Sequence, residues 1–262
     1  MEVVIKGPDE YADIIAQQIQ LCANRSGCEQ TSIELIQRNG QLELLEQVTI
    51  NSVKQSDRAA QQAVSQQLRH NIDVAQFVKQ QKSWPAAKHK PLSQAIGRKT
   101  RKLIDATAGW GGDAMRFCAQ GYEVICLERQ PLFALVLSDA MRVLAETEWV
   151  QKNSVSVPIV ECGEAMQLLG RSEFDADCIY LDPMFPSKRK SSAMANKSME
   201  LLHRLIGEDI DADSLVRHSA ENYPRTVVKR PNYAPPLWRK PDEQFGGKLI
   251  RYDVYFQSRS KD

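Results

Sequence analysis

From residue 101 onward the sequence alternates short apolar segments with stretches of helical spacing. The apolar segments are KLID, YEVICLER, SVPIVEC, ADCIYLD and RTVVKR. Because parallel strands joined by helices are buried on both faces, such continuous apolar runs predict a parallel sheet covered by helices. The last segment, KLIRYDVYF, alternates more cleanly and predicts an antiparallel edge strand. We therefore predict an α/β fold, a Rossmann-like doubly wound sheet, with its ligand site at the carboxyl ends of the strands.

The helices of this region are bounded by recognisable signals. DAMRFCAQ is predicted to be a helix closed by Gly121, and PLFALVLSDAMRVLAETEWV is predicted to be one continuous helix opened by Pro131. GEAMQLLG, SSAMANKSMELLHRLIG and DSLVRHSAEN are predicted to be further helices. With 262 residues, the chain is long enough for this domain and a smaller one.

The first part of the chain has a different pattern. We predict a small N-terminal α+β domain over residues 1–80, a basic linker over 81–100 and the Rossmann-like domain over 101–262. In the small domain, VVIK predicts a strand, EYADIIAQQIQLCA and DRAAQQAVSQQLRH predict helices, and Asn39-Gly40 predicts a hairpin turn.

Charge and cysteine content limit the classes of function. The net charge is only +1, so a nucleic-acid surface must come from local clusters of charge. One such cluster is the segment 79–102, which has eight Lys/Arg and no acid. We interpret it either as a solvated linker or as a phosphate-contacting stretch. Six cysteines lack metal-ligand spacing, and those in apolar runs (Cys118, Cys126, Cys162 and Cys178) are interpreted as small buried side chains. We expect reduced thiols, no metal, no membrane segment and a cytoplasmic location.

Polar and glycine residues follow each predicted strand, where the ligand of such a fold binds. The candidate cofactor-binding residues are Asp105, Gly109, Gly111, Gly112, Asp113, Glu128, Arg129, Gly163, Glu164 and Asp182. The glycine spacing also fits a dinucleotide, but a pyrophosphate disfavours neighbouring acids, whereas the cationic methionine end of S-adenosylmethionine favours them. Glu128 suits the ribose hydroxyls of either cofactor. The acids therefore favour S-adenosylmethionine, with S-adenosylhomocysteine as the product.

The segment YLDPMFP is similar to the Asp/Asn-Pro-Pro-Phe/Tyr loop of methyltransferases that act on planar amino groups. Such a nitrogen is a poor nucleophile, so catalysis depends on holding it in position. Asp182 and the carbonyl of Pro183 are the candidate hydrogen-bond acceptors, and Phe185 is the candidate stacking face for a base. Met184 stands where the general motif has a second proline.

Two basic segments follow this loop in the sequence, one directly and one at the end of a later strand. Lys188, Arg189 and Lys190 come after the loop, and Lys229 and Arg230 end the RTVVKR strand. They are interpreted either as solvated surface or as contacts to RNA phosphates. The loop after Arg230 interleaves aromatic and basic residues, as single-stranded or looped RNA prefers.

Taken together, DATAGWGGDA, CLERQP, YLDPMFPSKRKSSAM and VVKRPNYAPP resemble the bacterial small-subunit ribosomal RNA guanine-N2 methyltransferases of the RsmJ type, over about residues 95–256. The resemblance implies methylation of the exocyclic N2 amine of one guanine in 16S rRNA, with a small ribosomal subunit or an assembly intermediate as substrate. Three alternatives stay open at this point: another amino-methyltransferase acting on adenine N6 or a protein amide, a nicotinamide-dependent oxidoreductase, and a non-enzymatic RNA-binding protein.

Overall fold

The computed structural model describes residues 3–6, 30–51, 63–83, 85–86, 90–171, 173–183 and 211–257. These residues form two compact units that meet in sequence between Ile72 and Asp73. Each unit has its own sheet, and the two are described in turn. Two predicted helices, over residues 10–23 and 191–207, lie outside the described residues, as do Cys22 and Cys28.

The first unit contains a four-stranded sheet in the order β1-β2-β3-β4. Its strands are β1 (Val3–Lys6), β2 (Gln30–Arg38), β3 (Gln41–Asn51) and β4 (Ala63–His70). The hairpin predicted at Asn39-Gly40 joins β2 to β3, and both turn residues have positive φ angles, 52° and 77°. This is the backbone that a two-residue turn between twisted strands requires.

The helix predicted over residues 57–70 is wrong for its described part, which is strand β4. The Gln- and Ala-rich composition suggested a helix, but intrinsic propensity is weak beside tertiary pairing. Here β4 pairs antiparallel with β3, from Leu44 opposite His70 to Asn51 opposite Ala63. A buried bond of 2.9 Å between His70 Nε2 and Glu46 Oε2 reinforces this pairing.

The second unit contains a seven-stranded sheet in the order β10-β11-β9-β8-β5-β6-β7. The strands are β5 (Lys102–Asp105), β6 (Glu123–Glu128), β7 (Ile159–Cys162), β8 (Cys178–Leu181), β9 (Arg225–Pro231), β10 (Glu243–Gly246) and β11 (Ile250–Phe256). Strands β5 to β9 are parallel, as predicted. The chain runs from β5 outward to β7 and then returns to the other side of β5, so the order reverses between β5 and β8. Ligands of doubly wound sheets bind at such a reversal.

Strand β11 is antiparallel to β9, as predicted, but it is not an edge strand. Strand β10, which the sequence pattern missed, pairs with its outer side from Glu243 opposite Val254 to Gly246 opposite Arg251. Five consecutive residues of β11, from Arg251 to Tyr255, are consequently buried.

The described helices are α1 (Val74–Gln80), α2 (Lys90–Ile96), α3 (Gly112–Ala119), α4 (Pro131–Ala145), α5 (Glu148–Asn153), α6 (Ala165–Leu168) and α7 (Ala212–Asn222). The long helix predicted from Pro131 ends at Ala145, because the Thr147 hydroxyl accepts a bond from Val150 N and begins α5. Gly121 follows α3 with φ +85°, as predicted for a helix end. Helix α2 lies within the segment predicted to be a linker.

The apolar faces of the sheet pack against these helices. Ile104, Ile179, Leu181 and Val216 belong to one buried cluster beneath the strand ends. Of the four cysteines interpreted as buried, three are buried, but Cys162 is exposed because it ends the edge strand β7. None of the described helices has the length and apolar character needed to cross a membrane.

Candidate functional site

A glycine turn connects β5 to α3 at the carboxyl edge of the sheet. Gly109 and Gly111 have φ angles of +52° and +68°, and Gly111 N donates to Ala108 O at 2.8 Å. A Cβ atom on Gly111 would collide with the side chain of Leu137 in α4. The left-handed backbone therefore favours glycine at position 111, and any larger residue would have to displace the Leu137 side chain.

Glu128, at the end of β6, holds this turn in place. Its carboxylate is 4% exposed and accepts from Gly109 N through Oε2 and from Gln130 N through Oε1, both at 2.8 Å. Gly163 N donates to the backbone carbonyl of Glu128 at 3.0 Å, which brings the end of β7 to the same place. A carboxylate oxygen has more than one acceptor position, so Glu128 can bind a further hydroxyl beside the turn.

Asp105, the last residue of β5, is a buried acid beneath the turn. It is 2% exposed, and its carboxylate accepts from Thr107 N at 3.3 Å. Burial, followed by the nearby charge of Asp113, raises the pKa of Asp105 well above its usual range, although the bond from Thr107 opposes this shift. Such a group is stabilised in its charged form by a nearby cation.

Lys229 connects two further acids of the site. Its Nζ atom lies 2.9 Å from Asp113 Oδ2 and 2.7 Å from Asp182 Oδ2, and Asp113 Oδ2 also accepts from the Tyr180 hydroxyl at 2.7 Å. Burial would raise the pKa of Asp113, but the Lys229 charge and the two hydrogen bonds lower it below the usual value. Burial acts to lower the pKa of Lys229, but Asp182 and Asp113 raise it above the usual value. Asp113 and Lys229 therefore both stay ionised at neutral pH.

The loop that begins at Asp182 is tied to the glycine turn. The Asp182 backbone N donates to Thr107 Oγ1 at 2.7 Å, and Ala106 N donates to Tyr180 O at 2.9 Å. These bonds follow from the parallel pairing of β5 with β8. The Asp182 carboxylate is partly open to solvent, at 39% exposure, whereas Pro183 is buried.

The structure therefore brings together Asp105, Gly109, Gly111, Asp113, Glu128, Gly163 and Asp182 at one edge of the sheet. The other predicted cofactor residues lie near the same strand ends. Gly112 is exposed in the first turn of α3, Glu164 is exposed before α6, and Arg129 pairs with Asp211 at 3.4 Å. Among the residues that the structure describes, no group of three or more His, Cys, Asp or Glu side chains could hold a metal ion.

The predicted RNA-contacting residues divide into three cases. Lys188, Arg189 and Lys190, together with Phe185, lie outside the described residues. Lys229 is directed into the acid cluster formed by Asp105, Asp113 and Asp182. Arg230 is 3% exposed and donates to the carbonyl of Pro235 at 2.6 and 3.2 Å, so its interpretation as a phosphate contact is corrected: it shapes the following loop.

Two residues of the site, Thr107 and Tyr180, were missed by the sequence patterns. Thr107 lies within the glycine turn itself, so its position in the sequence could have identified it as a residue of the site. Tyr180 lies in an apolar strand and is fully buried, and only its hydroxyl bond to Asp113 reveals its place in the site.

A family model described as putative SAM-dependent methyltransferase matches residues 27–257. The chain is also similar to proteins named ribosomal RNA small subunit methyltransferase J. One, from Legionella pneumophila (strain Corby), is 38% identical over 162 residues, covering 62% of this chain and 65% of the relative. Another, from Pseudoalteromonas translucida (strain TAC 125), is 38% identical over 186 residues, covering 66% of this chain and 71% of the relative. The match thus spans less than two thirds of the Legionella protein.

Among solved structures, the chain is similar to the SAM-dependent methyltransferase NGO1261 from Neisseria gonorrhoeae. The TM-score is 0.60 at 21% identity, with 98% of this chain and 97% of the other covered, which shows a shared fold. The match to the family model covers the glycine turn, the acid cluster and the full seven-stranded sheet. On these findings the chain belongs to the family of putative S-adenosylmethionine-dependent methyltransferases, together with its relatives named ribosomal RNA small subunit methyltransferase J.

Proposed function

We propose that this protein transfers a methyl group from S-adenosylmethionine to the exocyclic N2 amine of one guanine in 16S rRNA. The observation that carries the proposal is the meeting of Asp105, Asp113 and Asp182 beside the glycine turn. Family membership and the names of the relatives support it.

The residues present fit this cofactor better than a dinucleotide. Asp105 is a carboxylate whose pKa is raised by burial and by the nearby charge of Asp113, and the sulfonium and α-ammonium groups of the cofactor would offset both effects. A pyrophosphate in the same place would instead face two acids. Glu128 would accept from the ribose hydroxyls, and Gly112, Arg129, Gly163 and Glu164 would complete the contacts. When bound, the cofactor supplies an electrophilic methyl group.

The amine-bearing base would be held by the loop after β8. Asp182 would accept one amino hydrogen and the Pro183 carbonyl would accept another, while Phe185 would stack on the base. A guanine within rRNA would have to leave its stack to reach them. The proton released from the amine would pass to Asp182 or to water. Lys229 Nζ donates to Asp182 Oδ2 at 2.7 Å, which orients the carboxylate beside the glycine turn.

The substrate is proposed to be 16S rRNA within a small ribosomal subunit or an assembly intermediate, in the cytoplasm. The names of the relatives supply the class of substrate. Lys188, Arg189 and Lys190 are proposed to contact phosphates that flank the target, which gives affinity without sequence information.

The test is methylation of small subunits from cells lacking the protein, followed by nucleoside analysis. Wild-type protein should produce N2-methylguanosine, and Asp182→Ala should abolish turnover while leaving the fold largely intact. Asp175→Ala is a matched control, since Asp175 is exposed and precedes β8 at its opposite end. N6-methyladenosine as the product, tight NADH binding in a calorimetric titration, or wild-type-like activity of Asp182→Ala would each contradict the proposal.

A further inference from the structure

The loop that follows β9 is held by a buried arginine of β11. Arg251 is 9% exposed, and its guanidinium donates to Pro231 O at 2.9 Å, Asn232 O at 3.0 Å and Ala234 O at 2.8 Å. Asp253 fixes the same guanidinium with bonds of 2.8 and 3.1 Å. Three hydrogen bonds from one side chain thus hold the backbone of one short loop.

A second buried arginine holds the end of this loop. Arg230 donates twice to Pro235 O. Burial and the nearby positive charge of Arg251 lower the pKa of Arg230, so placing two guanidinium groups here costs free energy. These hydrogen bonds restrict the loop backbone before any ligand arrives, which reduces the entropy lost on binding.

This rigid loop presents an aromatic ring to solvent. Tyr233 is 78% exposed, and Leu249 next to it is 79% exposed. The two segments that carry them are adjacent, because Asn232 N donates to Leu249 O at 3.1 Å and Asn232 Nδ2 donates to Gly247 O at 2.5 Å. Lys248, also exposed, lies between Gly247 and Leu249. We name Tyr233, Lys248 and Leu249 the Tyr233 platform.

The platform lies at the same edge of the sheet as the acid cluster. Strand β9 carries Lys229, whose Nζ contacts Asp113 and Asp182, and Tyr233 follows Lys229 by four residues, beyond the carboxyl end of that strand. The segment from 229 to 251 contains six Lys/Arg and two acids, a net charge of +4, compared with +1 for the entire chain. Lys229, Arg239 and Arg251 of this segment are paired with acids and Arg230 is buried, so its exposed basic side chains are Lys240 and Lys248.

We propose that the Tyr233 platform binds an RNA nucleotide that flanks the methylated guanine, with its base stacked on the Tyr233 ring. This inference rests on the proposed function. Every base has a face that can stack on an aromatic ring, and the exposed Lys248 ammonium group suits a phosphate of the RNA backbone. The two arginines hold the loop backbone on both sides of Tyr233, so stacking there has to order little beyond the Tyr233 side chain.

The test compares Tyr233→Ala with Tyr233→Phe in methylation of small subunits isolated from cells lacking the protein. Stacking of one base corresponds to about 1–3 kcal/mol, so the alanine variant should raise the KM for subunits about 5- to 150-fold, whereas the phenylalanine variant should stay near wild type. Affinity for S-adenosylhomocysteine, measured by calorimetry, should be unchanged in both. Ile159→Ala is the control, since Ile159 is 60% exposed at the start of the far edge strand β7.

A wild-type KM in Tyr233→Ala would overturn the inference. A loss of S-adenosylhomocysteine affinity as large as the rise in KM would overturn it too. A change of oligomeric state on gel filtration, with an unchanged KM, would assign the platform to a second copy of the chain and would overturn it too. Binding of a fluorescent single-stranded RNA oligonucleotide separates this inference from the proposed function. If the wild type methylates nothing but binds the oligonucleotide at least about fivefold more tightly than Tyr233→Ala, the platform stands and the proposed reaction fails.

Discussion

Replacing Lys229 by methionine should destabilise the protein at neutral pH and abolish methyl transfer. The Lys229 ammonium group contacts both Asp113 and Asp182, and the methionine side chain keeps much of the length but none of the charge. In the variant, two carboxylates would remain side by side, with buried Asp105 nearby.

The size of the effect follows from the distances. Both carboxylate oxygens contact the same nitrogen, at 2.9 and 2.7 Å, so they lie less than about 5.6 Å apart. Two unit charges at that separation repel by about 3 kcal/mol at an effective dielectric constant of about 20. Because the Asp182 side chain is 39% exposed, solvent screens part of this repulsion, and we expect a loss of about 1–3 kcal/mol in the free energy of unfolding.

The pH dependence has a definite sign. Lys229 lowers the pKa of Asp113 in the folded state, so its stabilisation is present above the unfolded value of 3.8 and is lost as the pH falls through the folded value. The difference between wild type and Lys229→Met should therefore be full at pH 7 and shrink in acid.

Urea unfolding, followed by circular dichroism at several pH values, measures this difference. Lys152→Met is the matched control, because Lys152 is exposed on α5. Equal stability of Lys229→Met and wild type at pH 7, or a difference that grows in acid, would refute the assignment of Lys229 as the counter-ion of the two acids.

Two other substitutions test the turn and the buried acid. Gly111→Ala should lower the free energy of unfolding by about 2–5 kcal/mol, because the residue has a left-handed backbone and the new Cβ would collide with Leu137. Gly112→Ala is the control and should not lower it, since a Cβ there meets nothing within 4 Å. Urea unfolding of both variants measures the contrast, and equal stabilities would contradict the prediction. Asp105→Asn should raise stability at neutral pH, because the raised pKa means that the ionised acid destabilises the fold, and this gain should vanish as the pH falls to 3.8. The same variant should bind S-adenosylmethionine about tenfold or more weakly by calorimetry, and unchanged affinity would remove Asp105 from the cofactor site.

Local patterns were sufficient to predict the parallel sheet and the strand-end residues. Apolar runs separated by helices identify buried parallel strands, and parallel strands place their carboxyl ends at one edge, so the sequence alone groups Asp105, Glu128 and Asp182. The Asn39-Gly40 hairpin was predictable because its two residues tolerate positive φ angles.

The features that could not be predicted from the sequence depend on which strands pair with one another. Strand β4 forms only because β3 provides its partner, and β11 is interior only because β10 covers it. Lys229 and Arg230 looked alike as a basic pair. Successive strand residues point to opposite faces, so one reaches Asp182 and the other reaches the carbonyl of Pro235.

Mass mapping of 16S rRNA from cells that lack this protein tests the proposed methylation most directly. We predict that one guanine loses its N2-methyl group, and that the wild-type chain restores the group while Asp182→Ala does not. An unchanged 16S rRNA, or a methyl group lost from an adenine, would contradict it.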